Sequence, residues 1–420
     1  MRLVVVGQGY VGLPVSMLAV RKGMTVLGLE TDPGRLAQLR DGVSYVDDVS
    51  HDELRAARDS GRYDASSDYA DARDFDVAVI TVPTPLRDAG PDLSFLEQAA
   101  ESLAPLVRPG CTVVVESTTY PGTTEDLVAP ILEAGSGLRA GTDFALGFSP
   151  ERIDPGNRQW TLENTPKVVS GIGEYSLTRV QAFYDRLVQR TVPVPSPKEA
   201  ELAKLLENTF RHVNIALVNE LSVVSHELGI DLWASIDAAA TKPFGFMPFT
   251  PGPGVGGHCL PIDPTYLSWE VKRRVGRSLG FIDLANEVNT AMPRYVAERA
   301  VLLLNEYRKA ANGAQVLLVG LGYKRNSGDI RESPAMRVAE RLHDFNCELS
   351  AVDAHVAADQ YPDFVTRAEL TAQAVAEADL VLILTDHDDV DYDLLLTSQT
   401  PVLDTRRRLG SPGLEHIRSL

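Results

Sequence analysis

The sequence predicts an α/β protein: two Rossmann-like, doubly wound parallel-sheet domains joined by a helical central domain with a long connecting helix. Three observations carry this. Apolar runs alternate with helix-like stretches through residues 1–196. A Gly-rich turn, Gly7-Gln8-Gly9-Tyr10-Val11-Gly12, follows the first of those runs. A second alternating segment starts at Ala314, after a long helical stretch. Strands that alternate with helices pair in parallel, because a parallel crossover needs a connection of helix length.

The elements follow in order. Residues 2–6 (RLVVV) read as a buried strand, and apolar runs recur at Thr25–Leu29, Val77–Val82 and Thr112–Glu116. Helix patterns separate them, as at Gly12–Lys22 and Ser94–Val107. Val168–Ser170 and Thr191–Val194 are expected to extend the sheet. The texture changes after the Pro-rich stretch VPVPSPKEAE (192–201). Leu202, Leu205, Leu206, Phe210, Val213, Leu217, Leu221 and Val224 then recur at helical spacing, predicting one amphipathic helix from Ala200 to about Leu228. A helix of that length is expected to form the core of a homodimer or a higher homo-oligomer. Helical patterns also cover Leu232–Ala240 and about Leu279–Tyr307, with the Gly/Pro-rich loop FTPGPGVGGHCLPIDP (249–264) between them. Gln315–Gly320, Glu348–Val352, Leu380–Thr385 and Pro401–Leu403 read as strands of the second α/β segment, with a helix at Pro334–Asp344. The expected domains are 1–196, 197–312 and 313–420.

Composition narrows the function. Lys plus Arg is 40 and Asp plus Glu is 58, a net charge of −18 over 420 residues. That balance argues against a nucleic-acid binder or an anionic-membrane binder. Cys111, Cys259 and Cys347 are too few and too scattered for a disulfide framework, which points to a reducing cytoplasm. No signal-peptide pattern opens the chain, and no apolar run approaches the length of a membrane span.

The first glycine turn is the candidate cofactor site. Gly7 permits the tight turn, Gly9 lets backbone approach a pyrophosphate, and Gly12 lets helix pack on strand. Glu30, in VLGLETD at the end of the second strand, would accept from both ribose hydroxyls and repel a 2′-phosphate, favouring NAD over NADP. Arg35 nearby tempers this, since an arginine can serve a 2′-phosphate. The second turn, Gly320-Leu321-Gly322-Tyr323-Lys324-Arg325, has Arg325 where the third glycine would stand. A different ligand is expected there, and Lys324, Arg325 and Arg331 are charges of the kind a diphosphate needs.

Cys259 sits in GVGGHC, where Gly256 and Gly257 allow a ligand close to the backbone, and Asp263 follows four residues on. A lone cysteine is more often a small buried hydrophobe than a nucleophile. Lys204 and Asn208 lie four apart on the long helix and share a face. No H-E-x-x-H pattern or Cys/His cluster suggests a metal.

Taken together, these pieces resemble the UDP-glucose/GDP-mannose dehydrogenase family over nearly the whole chain. The matching motifs are GQGYVG (7–12), VPTP (82–85), STTYPGTT (117–124), SPER (149–152), ELAKLLENTF (201–210), GVGGHC (254–259) with Asp263, GLGYKRNSGDIRESP (320–334) and DTR (404–406). The resemblance implies the roles. Cys259 would be the nucleophile, with Lys204 and Asn208 stabilising oxyanions and organising the catalytic water. Asp263 would assist the general-base work, Glu151 would serve thioester hydrolysis, and Thr118 would help hold the water. Tyr10, Val11, Pro83, Thr84, Thr118 and Arg331 would join Gly7, Gly9, Gly12, Glu30 and Arg35 around the cofactor. Glu151, Arg152, Lys204, Asn208, Gly256, Gly257, Lys324 and Arg406 would contact the UDP-sugar.

The chemistry agrees with these residue types. A C6 alcohol gives one hydride and becomes an aldehyde, which has no second hydride to give until a nucleophile adds. A thiolate adds well, and the thiohemiacetal then yields a second hydride and a thioester for water to hydrolyse. An ammonium and an amide suit the developing oxyanion.

The stretch GGHCLPIDP departs from the GGxCxxKD form of the UDP-glucose and GDP-mannose members, with Ile262 in place of the lysine and His258 before the thiol. It is similar to the branch acting on UDP-N-acetylglucosamine or UDP-N-acetylmannosamine. A dehydrogenase of UDP-glucose or another nucleoside-diphosphate glucose, a two-electron β-hydroxyacid dehydrogenase and a non-catalytic nucleotide-sugar binder are the alternatives.

Overall fold

The computed structural model describes residues 1–87, 90–153, 157, 159–257, 259–410 and 413–420, with Cys259 described by its backbone alone. By its contacts the chain forms two compact units, Met1–Glu207 with Thr265–Arg277, and Asn208–Pro264 with Ser278–Leu420.

The first unit is built on a six-stranded, all-parallel sheet. Its strands lie in the order Tyr63–Ser66, Thr25–Leu29, Arg2–Val6, Val77–Ile80, Thr112–Val115, Ala145–Phe148. That is the 3-2-1-4-5-6 order of dinucleotide-binding folds. The apolar runs predicted four of these strands because a sheet covered on both faces buries every side chain. Leu3 and Val5 enter the core on one face, Val4 and Val6 the core on the other. Lys167–Val169 and Thr191–Pro193 do not extend this sheet as expected; they pair with each other in a separate two-stranded ribbon.

The second unit repeats the plan. Its six parallel strands run Val365–Arg367, Glu348–Val352, Gln315–Val319, Leu380–Ile383, Val402–Asp404, Ile417–Ser419. Helix Gly280–Glu306 packs Met292, Val296, Ala300 and Leu303 into its core, alongside helix Pro334–Asp344. The long helix runs Pro197–Glu227, with Pro197 at its start, where a missing N–H costs nothing. A further helix begins at Cys259 and ends at Val275, so the predicted 249–264 loop is shorter than expected. Pro261 falls in its first turn, and Pro264 stands inside it.

The second glycine turn is held by a buried acid. Asp353 follows strand Glu348–Val352 and accepts from the amides of Leu321 (2.7 Å) and Gly322 (3.0 Å). His387 Nδ1 accepts from the Asn326 amide, so its Nε2 carries the proton and donates to Asp353 at 3.0 Å. Burial pushes the Asp353 carboxyl up, but His387 and the two amides outweigh it and hold the group well below the usual carboxylate range. Asp353→Ala strands these donors, and we expect a loss of about 1–3 kcal/mol in the unfolding free energy of this unit. A chemical denaturation series measures it; a loss within about 0.5 kcal/mol, as for a surface site, would remove Asp353 from the architecture.

Candidate active site

The first glycine turn is pinned from below. The Gly7 amide donates to Leu29 O (2.8 Å), and Thr81 Oγ1 donates to Gly7 O (2.8 Å). Gln8 is buried: its Nε2 reaches Val5 O (3.0 Å), while its Oε1 accepts from Tyr63 (2.9 Å) and Ser16 (3.1 Å). A Cβ at Gly12 would collide with the Gly7 carbonyl, whereas a Cβ at Gly9 would meet nothing within 4 Å. Gly12 is therefore required by packing, and Gly9 borders open space, as a site for a pyrophosphate needs. Gly12 also opens helix Gly12–Arg21, so amide donors and the positive end of the helix dipole face that space. Glu30 accepts from the Asp32 amide (3.0 Å) and the Gln8 amide (3.3 Å), which places its carboxylate beside the turn. The Arg35 guanidinium lies 5.4 Å from the centre of the Tyr45 ring. Tyr10 is exposed and Val11 half-buried beside Gly9. Turn, helix end and carboxylate fit an adenine dinucleotide.

The loops after the next strands are tied together in the same unit. Thr84 Oγ1 donates to Thr118 O (2.8 Å), and Ser117 Oγ donates to Val82 O (2.7 Å), joining VPTP to STTY. Pro83 beside them is exposed. Tyr266 is fully buried, and its hydroxyl donates to Thr84 O. Glu201 accepts from the Gly122 amide (2.6 Å), the Thr124 amide (2.9 Å) and Thr124 Oγ1 (2.7 Å), fixing the rest of STTYPGTT. Burial pushes its carboxyl up to about 7 against those donors.

Glu151 lies three residues beyond strand Ala145–Phe148. Its Oε1 accepts from the amides of Arg152 (2.7 Å) and Ile153 (2.5 Å), and its Oε2 lies 3.4 Å from the Lys167 ammonium. Lys167 is buried and also lies 3.3 Å from Glu116 Oε2, an oxygen with no aligned hydrogen-bond donor. Tyr184 donates to the other Glu116 oxygen. Burial pulls the Lys167 ammonium down, but the two carboxylates prevail and raise it; burial likewise lifts Glu116, with Lys167 opposing. The Arg152 fork grips Glu207 (2.7 and 3.3 Å) and the Pro166 carbonyl (2.7 Å), so all three of its nitrogens are engaged within the protein.

In the second unit, Asn208 and Asp263 are both buried, and Asn208 Nδ2 donates to Asp263 Oδ2. Sequence spacing sets Cys259 one turn before Asp263, at the first residue of its helix; its side chain, and all of His258, lie outside the described residues. Lys204 is half-buried, one turn before Asn208 on the continuous helix Pro197–Glu227. The loop before Cys259 rests on the C-terminal sheet domain. The Gly257 amide donates to Arg331 O (3.0 Å), and Cβ atoms at Gly256 and Gly257 would run into Tyr323 (2.7 and 2.8 Å). Arg331 Nε holds Asp329 (2.9 and 3.0 Å), Arg325 pairs with Asp386, and Lys324 is half-buried. Arg406 Nε donates to Leu384 O (2.8 Å), with a guanidinium nitrogen so close to Gly252 that a Cβ there would meet it at 2.6 Å.

Sequence reasoning missed Tyr266, Glu201, Glu116 and Lys167. A lysine heading an apolar strand (KVV) and a glutamate ending one (TVVVE) were the signals for the last two.

Comparison with known proteins places this geometry. Residues 1–188 match the NAD binding domain of the UDP-glucose/GDP-mannose dehydrogenase family, 198–291 its central domain and 317–411 its UDP binding domain. The UDP-N-acetyl-D-glucosamine 6-dehydrogenase of Pseudomonas aeruginosa is 37% identical over 361 residues, covering 86% of this chain and 84% of that protein. The UDP-N-acetyl-D-mannosamine dehydrogenase of Pyrococcus horikoshii is 33% identical over 390 residues, covering 93% and 90%. A solved structure of the UDP-D-ManNAc dehydrogenase from Pyrococcus horikoshii superposes with a TM-score of 0.90 at 30% identity, covering 100% of this chain and 99% of that one.

The two glycines make a paired prediction. Gly9→Ala keeps the wild-type melting temperature but weakens NAD binding about tenfold, roughly 1.4 kcal/mol. Gly12→Ala lowers the melting temperature itself. Thermal scans with NAD titrations check both, and unchanged NAD affinity in Gly9→Ala would move the pyrophosphate away from this turn.

Proposed function

The chain belongs to the UDP-glucose/GDP-mannose dehydrogenase family, an NAD-dependent oxidoreductase family, and on that footing we propose that it oxidises the C6 alcohol of a UDP-linked 2-acetamido sugar to the uronic acid. The sugar is UDP-N-acetylglucosamine or UDP-N-acetylmannosamine, as in the names of its relatives. The observation that carries the reading is the buried Asn208–Asp263 hydrogen bond, one turn along the helix that begins at Cys259. It sets a paired amide and carboxylate one helical turn from the cysteine's place in the chain, groups of the kind that thiol-dependent oxidation of an aldehyde uses. The functional division is 1–196 for NAD, 197–312 for the cysteine and 313–420 for the UDP-sugar.

NAD, which Gly9, the helix end at Gly12 and Glu30 would hold, would supply the hydride acceptor for each of the two oxidations. The protein does the rest. Cys259 opens its helix, and its thiol, as the thiolate, adds to the aldehyde. Lys204 and Asn208 stabilise the oxyanion, and Asp263 handles the proton with Asn208 fixing its orientation. Glu151 and Thr118 serve the water that cleaves the thioester. Gly256 and Gly257 bring backbone to the sugar, and Lys324 and Arg406 meet the diphosphate side. Free thiols at Cys111 and Cys347 fit a cytoplasmic setting.

The protein acts as a homodimer through the long helix. Leu202, Leu206, Phe210, Leu217, Leu221 and Val224 form a stripe along it, each 42–63% exposed. An apolar stripe of that extent marks a protein contact, and its repeat at helical spacing suits the same helix of a second copy.

Initial rates on UDP-N-acetylglucosamine, UDP-N-acetylmannosamine and UDP-glucose, with NADH counted per product, test the reaction. We expect two NADH per acid, the highest kcat/KM on an acetamido sugar, and loss of acid formation by about a thousandfold or more in Cys259→Ser, in line with other nucleophile removals. One NADH per product, or near wild-type acid formation by Cys259→Ser, would overturn the thiol route. Light scattering should give a dimer for the wild type and a monomer for Leu217→Glu/Leu221→Glu; a monomeric wild type would rule out the helix interface.

A further inference from the structure

The first unit buries two carboxylates around one ammonium. Glu116 follows strand Thr112–Val115 and Glu151 follows the neighbouring strand Ala145–Phe148, so both stand at the carboxyl edge of the sheet, where open α/β folds bind their ligands. Lys167 heads the adjacent ribbon and is 3% exposed, with Glu151 Oε2 at 3.4 Å and Glu116 Oε2 at 3.3 Å. Tyr184 closes the far side by donating to Glu116 Oε1, its ring 5.3 Å from the ammonium. Glu151 Oε1 is already committed to two backbone amides. Oε2 is left for chemistry, and among the described residues Lys167 is the side chain beside it.

A single Lys–Glu pair would serve a base badly. Protonating the glutamate would strand a buried ammonium, so the pair would resist taking the proton. A second carboxylate removes that obstacle. We propose that Lys167 and Glu116 are positioning residues for thioester hydrolysis: Lys167 orients Oε2 of Glu151, and Glu116 keeps Lys167 paired while Glu151 takes up a proton.

The step balances. Water adds to the acyl carbon, the C–S bond breaks, and sulfur leaves with its electron pair as the Cys259 thiolate. One water proton passes to Glu151 Oε2 and the other stays on the product acid. The buried cluster changes from two carboxylates and one ammonium to one of each, and Lys167 is never left without a counter-charge. Glu151 later returns its proton to solvent. Neither Lys167 nor Glu116 is asked to touch the substrate, so neither enters the first oxidation. This proposal rests on the hydrolytic role given to Glu151 above.

The test separates the two half-reactions in the full-length protein, with NAD and the acetamido sugar that the rate panel selects. Rapid quench followed by intact mass measures acyl-enzyme, and single-turnover absorbance measures the first NADH. Glu116→Gln, close in shape to the wild type, should form its first NADH within twofold of the wild-type rate. It should then accumulate a hydroxylamine-sensitive acyl-enzyme, with steady-state kcat down at least tenfold. Lys167→Arg should restore much of the hydrolysis rate that Lys167→Gln loses. The charge-balanced double variant Glu116→Gln/Lys167→Gln guards against misfolding, and should fold yet still accumulate acyl-enzyme. Loss of both half-reactions to the same degree in Glu116→Gln and the double variant would make the cluster a matter of packing and overturn the proposal. So would a double variant that hydrolyses normally. Acyl-enzyme in Glu151→Gln but none in Glu116→Gln would overturn this proposal alone; none in Glu151→Gln would overturn the role of Glu151 and this proposal with it.

Discussion

A carboxylate at the end of the second strand of each sheet decides what that sheet can hold. The two sheets share one strand order and one strand–glycine-turn plan. Glu30 reaches the first turn by a single amide, at 3.3 Å, and spends its other oxygen on Asp32. The backbone at Gly9 stays open beside it. Asp353 is one methylene shorter, and it sits under the second turn, taking two amides and the His387 proton. Those donors are then spent inside the protein, as buried amides must be when no ligand is built to meet them. One topology thus serves a dinucleotide in the first unit, and in the second it becomes a scaffold matched to a UDP binding domain.

Polar contacts then hold the candidate site residues of each unit. Within the first unit, Thr84 links the cofactor-side loop to Thr118, and Tyr266 seals that link from helix Cys259–Val275. Within the second, Asn208 holds Asp263, and Tyr323 and Arg331 back the glycines that lead to Cys259. These contacts join positions far apart in sequence and hold the candidate site residues in place. The Glu116–Lys167–Glu151 cluster follows the same rule, with the extra carboxylate accounted for by a proton that must come and go.

Much of this was legible in the sequence. Fully buried parallel strands announce themselves as apolar runs, so RLVVV, TVLGL and QVLLV were visible at once. The edge strands Tyr63–Ser66 and Val365–Arg367 were not, because YDAS and VTR carry little apolar signal. The helix from Cys259 was hidden by Pro261 and Pro264, and Pro264 stands past the first turn, where proline usually breaks a helix. Val168 and Thr191 read as part of the main sheet because period and polarity do not say which neighbour a strand chooses. The motif residues came from spacing and resemblance. Their supporting partners, such as Tyr266 against Thr84 or Lys167 between two glutamates, join positions far apart in sequence, and only the fold brings them together.

The proposed reaction uses one cofactor turn and one thiol for two oxidations of the same carbon. The most direct measurement follows the fate of label in a single turnover on the UDP-acetamido sugar dideuterated at C6. Both deuterons should appear on NADH, two per acid, with the sugar carbon held on the Cys259 peptide between the second transfer and hydrolysis. One deuteron on NADH, with the other retained in a released aldehyde, would contradict the account.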